Sequence, residues 1–244
     1  MNGGRRATGI HADAVAQIAR KILRGKLAAG ASLPTEPEFG AELGVSRTVV
    51  REAVRTLAAK GLVVTGPRLG TRVRPVPEWN LFDPDVIAWR VAAGVDVKFL
   101  EDVVELRVTS EPMAARLAAK RADAAGVARV ADAYARMADA VDGKGGYLAA
   151  DLDFHQAILA AAGNQFVSAF APLLGALLHV SFRHSVKSRA SARASLPLHE
   201  AVLRAIAKRK PDTAEKALAA LIRRAREDMF DGGKTDGFLE EDGR

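Results

Sequence analysis

The first thirty residues carry apolar side chains at the spacing of one helix face. Val15, Ile18 and Ile22 recur at intervals of three and four, which predicts an amphipathic helix within residues 10–28. Residues 1–9 lack such a pattern, and we expect them to form a disordered tail.

Two further helices are predicted between Thr35 and Lys60. Thr35 and Glu38 have the spacing of a capping box, which marks the start of a short helix, and Gly44 suits its end. Ser46 is a favourable N-cap for the next helix, which continues to Lys60. Two helices joined by a short turn that contains glycine are typical of a helix-turn-helix motif.

A β-hairpin and a linker follow these helices. Residues 62–65 and 71–74 are rich in β-branched side chains and flank the glycine- and proline-containing turn 66–70, which predicts a hairpin wing. The pattern therefore predicts a winged helix-turn-helix over residues 10–76. Residues 77–96 contain both tryptophans and two prolines, which favours a linker that packs on another part of the protein.

The rest of the chain is helical almost throughout. Breaks at glycine, serine and proline divide residues 97–231 into about six helices, which predicts an all-helical antiparallel bundle. Residues 232–244 are charged and glycine-rich, and we expect a second disordered tail there. The predicted fold class is mainly α, with a winged helix-turn-helix of three helices and a hairpin before the bundle.

Composition and charge narrow the function. The chain has no cysteine, which excludes disulfides and thiolate chemistry, and we expect no apolar run long enough to span a membrane, so a cytoplasmic location is expected. Residues 1–76 carry thirteen Lys or Arg against five Asp or Glu, whereas the remaining residues carry 23 against 24. A basic module beside a nearly neutral one indicates nucleic-acid binding, although a basic surface that is merely solvated has the same composition.

The third predicted helix has the features of a recognition helix. Arg47, Arg51 and Arg55 are four residues apart and form a basic stripe, opposite an apolar face. Arg47 is the best candidate for a bidentate contact to guanine, and Thr48 is suited to a base or a phosphate. Ser46 offers a helix N-terminus to a phosphate, and Arg55 is expected to contact the backbone.

The hairpin adds two candidate DNA contacts. Arg68 at its tip is positioned to enter the neighbouring minor groove, and Gly70 allows a close approach of the wing backbone. Double-stranded DNA is therefore the predicted macromolecular partner of residues 10–76.

Three residues of the helical region have side chains typical of a metal site. Asp151 and His155 are four residues apart on one helix face, and His199 begins a later helix. One carboxylate and two imidazoles suit Zn²⁺, Mn²⁺ or Ni²⁺ and leave positions open for a ligand. The spacing is also common by chance, and histidines on apolar faces are often simple core residues.

Two arginines stand in apolar helical stretches. Arg107 lies on the first long helix of the region, and Arg183 lies within the apolar stretch 166–186. Cations in such surroundings need partners, which are either carboxylates of the bundle or an anionic effector. His179 and His184 are weaker candidates for effector binding, because histidines at such places are more typical of surface or packing positions.

Several motifs together resemble the GntR family of bacterial regulators. The stretch LPTEPEFGAELGVSRTVVREAVRTLAAKGLV resembles the family's helix-turn-helix, and ELR, DLDFHQAIL and LPLHEAVLRAI resemble the FadR-type branch with an FCD ligand domain. WNLFDPDVIAW is similar to the linker of the family's sugar-acid regulators, those of the galactonate type. The resemblance covers roughly residues 10–230.

The resemblance implies specific partners and site residues. It implies a homodimer on a palindromic operator, DNA contacts by the residues at 47, 48 and 51, and effector-binding arginines at 107 and 183. It also implies a metal held by the residues at 151, 155 and 199 plus a fourth histidine, where this chain has Arg223 or Arg224. Two alternatives follow: three protein ligands hold the metal, or the arginine replaces the metal by binding the effector's carboxylate directly. Pro37 stands where family members often carry a DNA-contacting arginine, so the operator sequence is not transferred.

Three hypotheses follow from the sequence. The first is a repressor that releases DNA when a small carboxylate such as a sugar acid binds, with a divalent metal such as Zn²⁺ as cofactor. The second is a metal-dependent hydrolase or lyase with an accessory basic domain, for which Asp153 is on a different helix face from Asp151 and no other general base is evident. The third is an architectural DNA-binding protein without an effector.

Overall fold

The computed structural model describes residues 3–67, 70–186 and 188–230. The chain divides into two compact units, Met1–Val95 and Asp96–Arg244. The predicted linker, residues 77–96, therefore belongs almost entirely to the first unit. The predicted tail at residues 232–244 lies outside the described residues.

The first unit combines helices with a two-stranded hairpin. Its elements are α1 (Gly3–Leu23), α2 (Glu36–Leu43), α3 (Arg47–Ala59), β1 (Val63–Gly66), β2 (Gly70–Val73), a 3-10 turn (Val76–Glu78) and α4 (Pro84–Ala93). Strands β1 and β2 are antiparallel, with Val63 opposite Val73 and Gly66 opposite Gly70. These helices, the hairpin and their order along the chain confirm the predicted winged helix-turn-helix.

Helix α1 begins earlier than the sequence predicts. It starts at Gly3, so the expectation that residues 1–9 form a disordered tail is wrong for residues 3–9. An apolar pattern predicts only the part of a helix that packs on a core, so it does not fix the residue at which a helix begins.

The predicted caps of α2 and α3 are present. The carboxylate of Glu38 accepts a hydrogen bond from the Thr35 backbone N–H at 2.7 Å. Gly44 ends α2 with φ at 66°, a left-handed conformation that costs glycine little. The Ser46 hydroxyl then accepts from the Val49 N–H at 3.3 Å and starts α3. These local contacts fix where the two helices meet.

The linker segment is bound to the end of α3. Trp79 is buried with the apolar core of the first unit, and its ring N–H donates to the Arg74 carbonyl at 2.9 Å. Lys60, directly after α3, lies 2.8 Å from carboxylate oxygens of both Asp83 and Asp85. The segment thus packs on the winged helix, and its residues Asp83 and Asp85 are paired with the end of α3.

The second unit is all-helical within the described residues. Its elements are α5 (Val97–Arg121), α6 (Ala124–Val141), α7 (Tyr147–Ala161), α8 (Gln165–Ser185), α9 (Arg189–Ala207) and α10 (Pro211–Phe230). Helix α5 packs chiefly on α10, α6 packs on α7 and α9, and α7 also contacts α5 and α8. This arrangement confirms the predicted bundle.

Helix α8 corrects one expectation about apolar runs. By length and composition alone, it qualifies as a helix that could cross a membrane. Its only charged side chain, Arg183, is near its C-terminal end, so a long stretch before it contains no ion. In this fold α8 packs on α7, α10 and α5.

Candidate functional site

The predicted DNA contacts on α3 share one exposed surface, which we call the α3 face. Val50, Ala53 and Leu57 on the opposite side of α3 are fully buried in the core of the first unit. Helical periodicity therefore turns the other side of α3 towards solvent. The α3 face consists of Ser46, Arg47, Thr48, Arg51 and Arg55.

Two cations of the α3 face, Arg51 and Arg55, have exposed partners. Arg55 donates to the Glu52 carboxylate at 2.7 Å, and Nε of Arg51 lies 4.0 Å from a Glu36 oxygen. At least two fifths of each of these side chains is exposed. Exposed pairs of this kind contribute little free energy, so these guanidinium groups can exchange a carboxylate for a phosphate or a base.

The hairpin flanks the α3 face. Arg51, Arg55, Gly66 and Gly70 line an open cleft of about 630 Å³ between α3 and the strands. Gly70 is exposed, and its φ of 68° favours glycine, while no atom of the described residues lies within 4 Å of the Cβ that it lacks. Its surface is therefore open to an approaching molecule. Arg68, the predicted minor-groove contact, lies outside the described residues.

The three candidate metal ligands converge inside the second unit. Asp151 and His155 lie on α7, and His199 lies on α9; all three are buried, and one ligand atom of each lies within 4.8 Å of the others. Nε2 of His199 is 3.1 Å from Oδ1 of Asp151, and Nε2 of His155 is 3.5 Å from the same oxygen. We call these three residues the His–Asp cluster.

The outer nitrogens of the two histidines determine what the inner ones can do. Nδ1 of His199 lies 3.0 Å from the Ser195 carbonyl, and Nδ1 of His155 contacts the Glu111 carboxylate. Both partners only accept, so both Nδ1 atoms donate, and in a neutral imidazole Nε2 then presents a lone pair to Asp151. An Nε2 lone pair and a carboxylate oxygen repel each other unless a positive charge lies between them. That charge is either a second proton on the ring or a metal ion. The donor set thus fits a divalent metal.

A buried arginine extends this network. Nε of Arg107 donates to Glu111 at 2.6 Å, and Nη1 donates to the Ser181 hydroxyl at 2.7 Å. The guanidinium carbon also lies 5.1 Å from the centre of the Phe182 ring. Arg107 is only 1% exposed, so its first partner is a carboxylate of the protein itself. It also contributes to the wall of a small cavity beside the His–Asp cluster, described below.

The pKa values of the cluster follow from burial and charge. Burial acts to raise the pKa of Glu111, but the charge of Arg107, together with the charge and hydrogen bond of His155, lowers that pKa to about 2. Burial likewise opposes ionisation of Asp151, yet the two histidines hold its pKa well below its ordinary value. Burial disfavours a charged His155, and the two carboxylates outweigh it and raise the pKa of the ring. These surroundings therefore favour ionised carboxylates at Glu111 and Asp151, with positive charge between them.

A small cavity of about 30 Å³ adjoins the His–Asp cluster. Arg224 and Asp228 of α10 contribute to its wall, and Nη2 of Arg224 lies 2.8 Å from Oδ1 of Asp228. The sequence left open whether Arg223 or Arg224 takes the position of the fourth histidine. Both arginines are exposed, but of the two only Arg224 contributes to the wall of the cavity.

The structure does not bring every predicted residue to the cavity. Arg183 is exposed, because Ser181, Phe182 and Ser185 form the inner face of α8 and leave position 183 on the outer one. His179 is also exposed overall, but partial burial of its ring, together with the charge of Arg183, lowers the pKa of the ring. Nδ1 of His184 bonds its own helix at the Val180 carbonyl, 2.8 Å away.

Three side chains of this region were absent from the sequence prediction. Glu111 and Ser181 bind Arg107, and Asp228 binds Arg224. Glu111 and Asp228 each stand four residues after their arginine, so an arginine followed by a carboxylate at that helical spacing was the available signal. Asp153, the carboxylate that a hydrolase would need, instead binds Arg136 at 2.7 Å.

Comparison with protein families matches both units. Residues 11–73 match the family described as bacterial regulatory proteins, gntR family, and residues 102–224 match the FCD domain. The two matches correspond to the winged helix-turn-helix and to the helical bundle.

Similar proteins occur among curated sequences and solved structures. The chain is 35% identical over 209 residues to the uncharacterized HTH-type transcriptional regulator YieP of Escherichia coli, covering 85% of this chain and 90% of that protein. It is 29% identical to the galactonate operon transcriptional repressor of the same organism, covering 85% and 91%. The Listeria monocytogenes protein Lar has a similar fold, with a TM-score of 0.57 at 19% identity, covering 91% of this chain and 97% of that one.

Proposed function

Because this chain belongs to the gntR family of bacterial regulatory proteins and carries an FCD domain, we propose that it represses transcription until a small carboxylate binds its helical unit. The chain is a transcription regulator and not the hydrolase or lyase considered from the sequence. We propose that it acts in the cytoplasm.

The α3 face carries the proposal of DNA binding. Its arginines are exposed on a helix whose other side is locked in the core. An α-helix fits the major groove, where the N-terminal residues of a recognition helix contact base edges. Arg47 would contact a base, Thr48 and Arg51 a base or a phosphate, and Arg55 the backbone, with Gly70 and Arg68 of the wing on the adjacent groove.

A homodimer on a palindromic operator is part of this proposal. Two copies of a helix-turn-helix, related by a two-fold axis, bind two half-sites that share the symmetry. The resemblance to family members supports this arrangement. Sedimentation of the purified chain, alone and with duplex, would give the stoichiometry of two chains per operator.

A divalent metal such as Zn²⁺ would be held by Asp151, His155 and His199. When bound, it would offer its remaining coordination position to a carboxylate or hydroxyl oxygen of the effector. The proposal is supported by the two Nε2 atoms, which converge on the Asp151 carboxylate inside the protein. Glu111 and the Ser195 carbonyl keep the outer ring nitrogens occupied as donors.

The effector would be an anion that engages Arg224. The cavity of about 30 Å³ is far smaller than an ordinary ligand site, so binding requires its wall to open. The Arg224 side chain is 53% exposed and bonded to Asp228 of the same helix. If the effector's carboxylate replaced Asp228 as the partner of Arg224, the wall would open and the guanidinium would still be paired. The names of relatives such as the galactonate operon repressor support a sugar acid.

A thermal and binding titration tests the proposal. The chain with Zn²⁺ would be mixed with galactonate or gluconate, and with the uncharged sugars galactose and glucose as controls. A bound acid should raise the melting temperature and weaken binding to a duplex selected from a random pool by about 5- to 150-fold. The Arg224→Gln variant should lose both effects, and Arg223→Gln, a neighbour outside the cavity wall, should keep them.

The outcomes separate the remaining hypotheses. If the acids change neither melting nor DNA affinity while the duplex still binds, the chain is a DNA-binding protein without this effector class. If both arginine variants respond like the wild type, the acid binds elsewhere.

A further inference from the structure

Glu111 is a buried carboxylate that joins three helices of the second unit. It lies on α5, is 2% exposed and contacts Nδ1 of His155 on α7. Its other oxygen accepts from Arg107, which in turn donates to Ser181 on α8. Neither the family comparison nor the spacing of the metal ligands assigns it a role.

Both oxygens of Glu111 have defined partners. A buried carboxylate is costly unless it is paired and hydrogen-bonded, and Arg107 supplies the charge that Glu111 needs. Since Oε1 belongs to Arg107, Oε2 is left for His155. Contacts with α5 and α8 therefore fix the orientation of this carboxylate independently of His155.

The two histidines of the His–Asp cluster are oriented by different means. His199 donates to the Ser195 carbonyl of its own helix, a contact that the backbone of α9 provides by itself. His155 depends on a side chain of another helix, Glu111. An imidazole whose Nδ1–H has a fixed acceptor keeps one tautomer and one ring orientation.

We infer that Glu111 is a positioning residue of the metal site, one that holds His155 with Nε2 directed at Asp151, and that Arg107 and Ser181 hold Glu111. This inference rests on the proposed metal site and deepens it. The carboxylate makes no contact with the metal ion itself. It raises metal affinity by removing the freedom of the ring to turn away and by increasing the basicity of Nε2.

Zinc affinity measures this role. Zn²⁺ would be partitioned between the full-length chain and a chromophoric chelator. Glu111→Gln removes the charge at nearly constant volume and should weaken zinc binding by about 10- to 100-fold. Glu105→Gln makes the same change on the exposed side of the same helix and should bind zinc like the wild type.

A spectroscopic signature separates positioning from a general structural effect. In the zinc-loaded chain with ¹⁵N-labelled histidine, the Nδ1–H proton of His155 should resonate at low field and exchange slowly with solvent, because its bond to a carboxylate is charge-assisted. In Glu111→Gln this signal should move upfield. The Nδ1–H signal of His199, which is bonded to a backbone carbonyl, should stay in place and serves as the internal control.

A second variant guards against misfolding. Glu111→Gln leaves the charge of Arg107 buried without its partner, so the double variant Arg107→Met with Glu111→Gln removes both charges together. It should weaken zinc binding as the single variant does.

Two results would overturn the inference in different ways. Wild-type zinc affinity in folded Glu111→Gln and in the double variant would refute the role of Glu111 and leave the metal site intact. A wild-type chain that binds no zinc would refute the metal site and this inference with it.

Discussion

Arg55 on α3 pairs with Glu52 in contact with solvent, whereas Arg107 on α5 pairs with Glu111 out of contact with it. Both are ion pairs between near neighbours on a helix, but their surroundings give them opposite properties. The exposed pair costs little to break, so its arginine can change partners. The buried pair is expensive to break, because a lone charge would remain inside the protein.

This difference distinguishes the α3 face, whose arginines are free to change partners as the proposed DNA binding requires, from the buried cluster, whose side chains are held in one arrangement. The α3 face can exchange carboxylates for phosphates without rearranging the fold. In the His–Asp cluster every buried side chain has a partner, and its geometry is set by contacts from α5, α8 and α9. Substitutions should therefore have graded effects on the α3 face and severe effects in the cluster.

The severest effect is expected from His199→Ala. Loss of a residue that only hydrogen-bonds a metal ligand lowers metal affinity by about 10- to 100-fold. This variant removes a ligand itself, so its zinc affinity should fall by more than about 100-fold. Competition with a chromophoric chelator measures the change. His184→Ala removes a histidine outside the cluster and should have no effect; equal losses in the two variants would contradict the assignment of the cluster.

Arg47→Ala should have an intermediate effect on DNA binding. Loss of a bidentate base contact costs about 1–3 kcal/mol and relaxes the choice of base at one operator position. Fluorescence anisotropy with the selected duplex and its single-base variants measures both changes. Arg20→Ala removes an exposed arginine of α1 and is the matched control. An Arg47→Ala variant with unchanged affinity and unchanged base preference would exclude Arg47 from the interface.

Arg55→Ala should give the smallest effect and a different signature. A lost phosphate contact weakens binding by a similar factor for all duplexes and lowers the salt slope of the association constant by about 1. Anisotropy titrations at several salt concentrations measure that slope. A change in base preference without a change in slope would reverse the roles given to Arg47 and Arg55.

The α3 face could be predicted from the sequence because its determinants are local. The cap at Ser46, the buried positions Val50 and Leu57, and the arginine spacing all lie within one helix. Helical periodicity then decides which side chains face solvent. The fold class followed for the same reason, since each helix carries its own pattern and caps.

The buried cluster could be predicted only in part. Asp151 and His155 share a helix and were found by spacing, and His199 was found by its residue type. The contact of Glu111 with His155 joins residues 44 positions apart, which no local pattern encodes. The position of Arg183 away from the cavity could not be predicted for a related reason: an apolar helix that packs on only one side leaves its other residues exposed, and composition alone does not tell the two sides apart.

The most direct test of DNA binding by the α3 face uses the absence of cysteine from the chain. Thr48→Cys introduces a single thiol in the α3 face, and Ser168→Cys introduces one at an exposed position of α8. Alkylation rates would be measured with and without a saturating selected duplex. We expect the duplex to slow alkylation strongly at position 48 and not at position 168. Equal rates at position 48 with and without bound duplex would contradict DNA binding by this face.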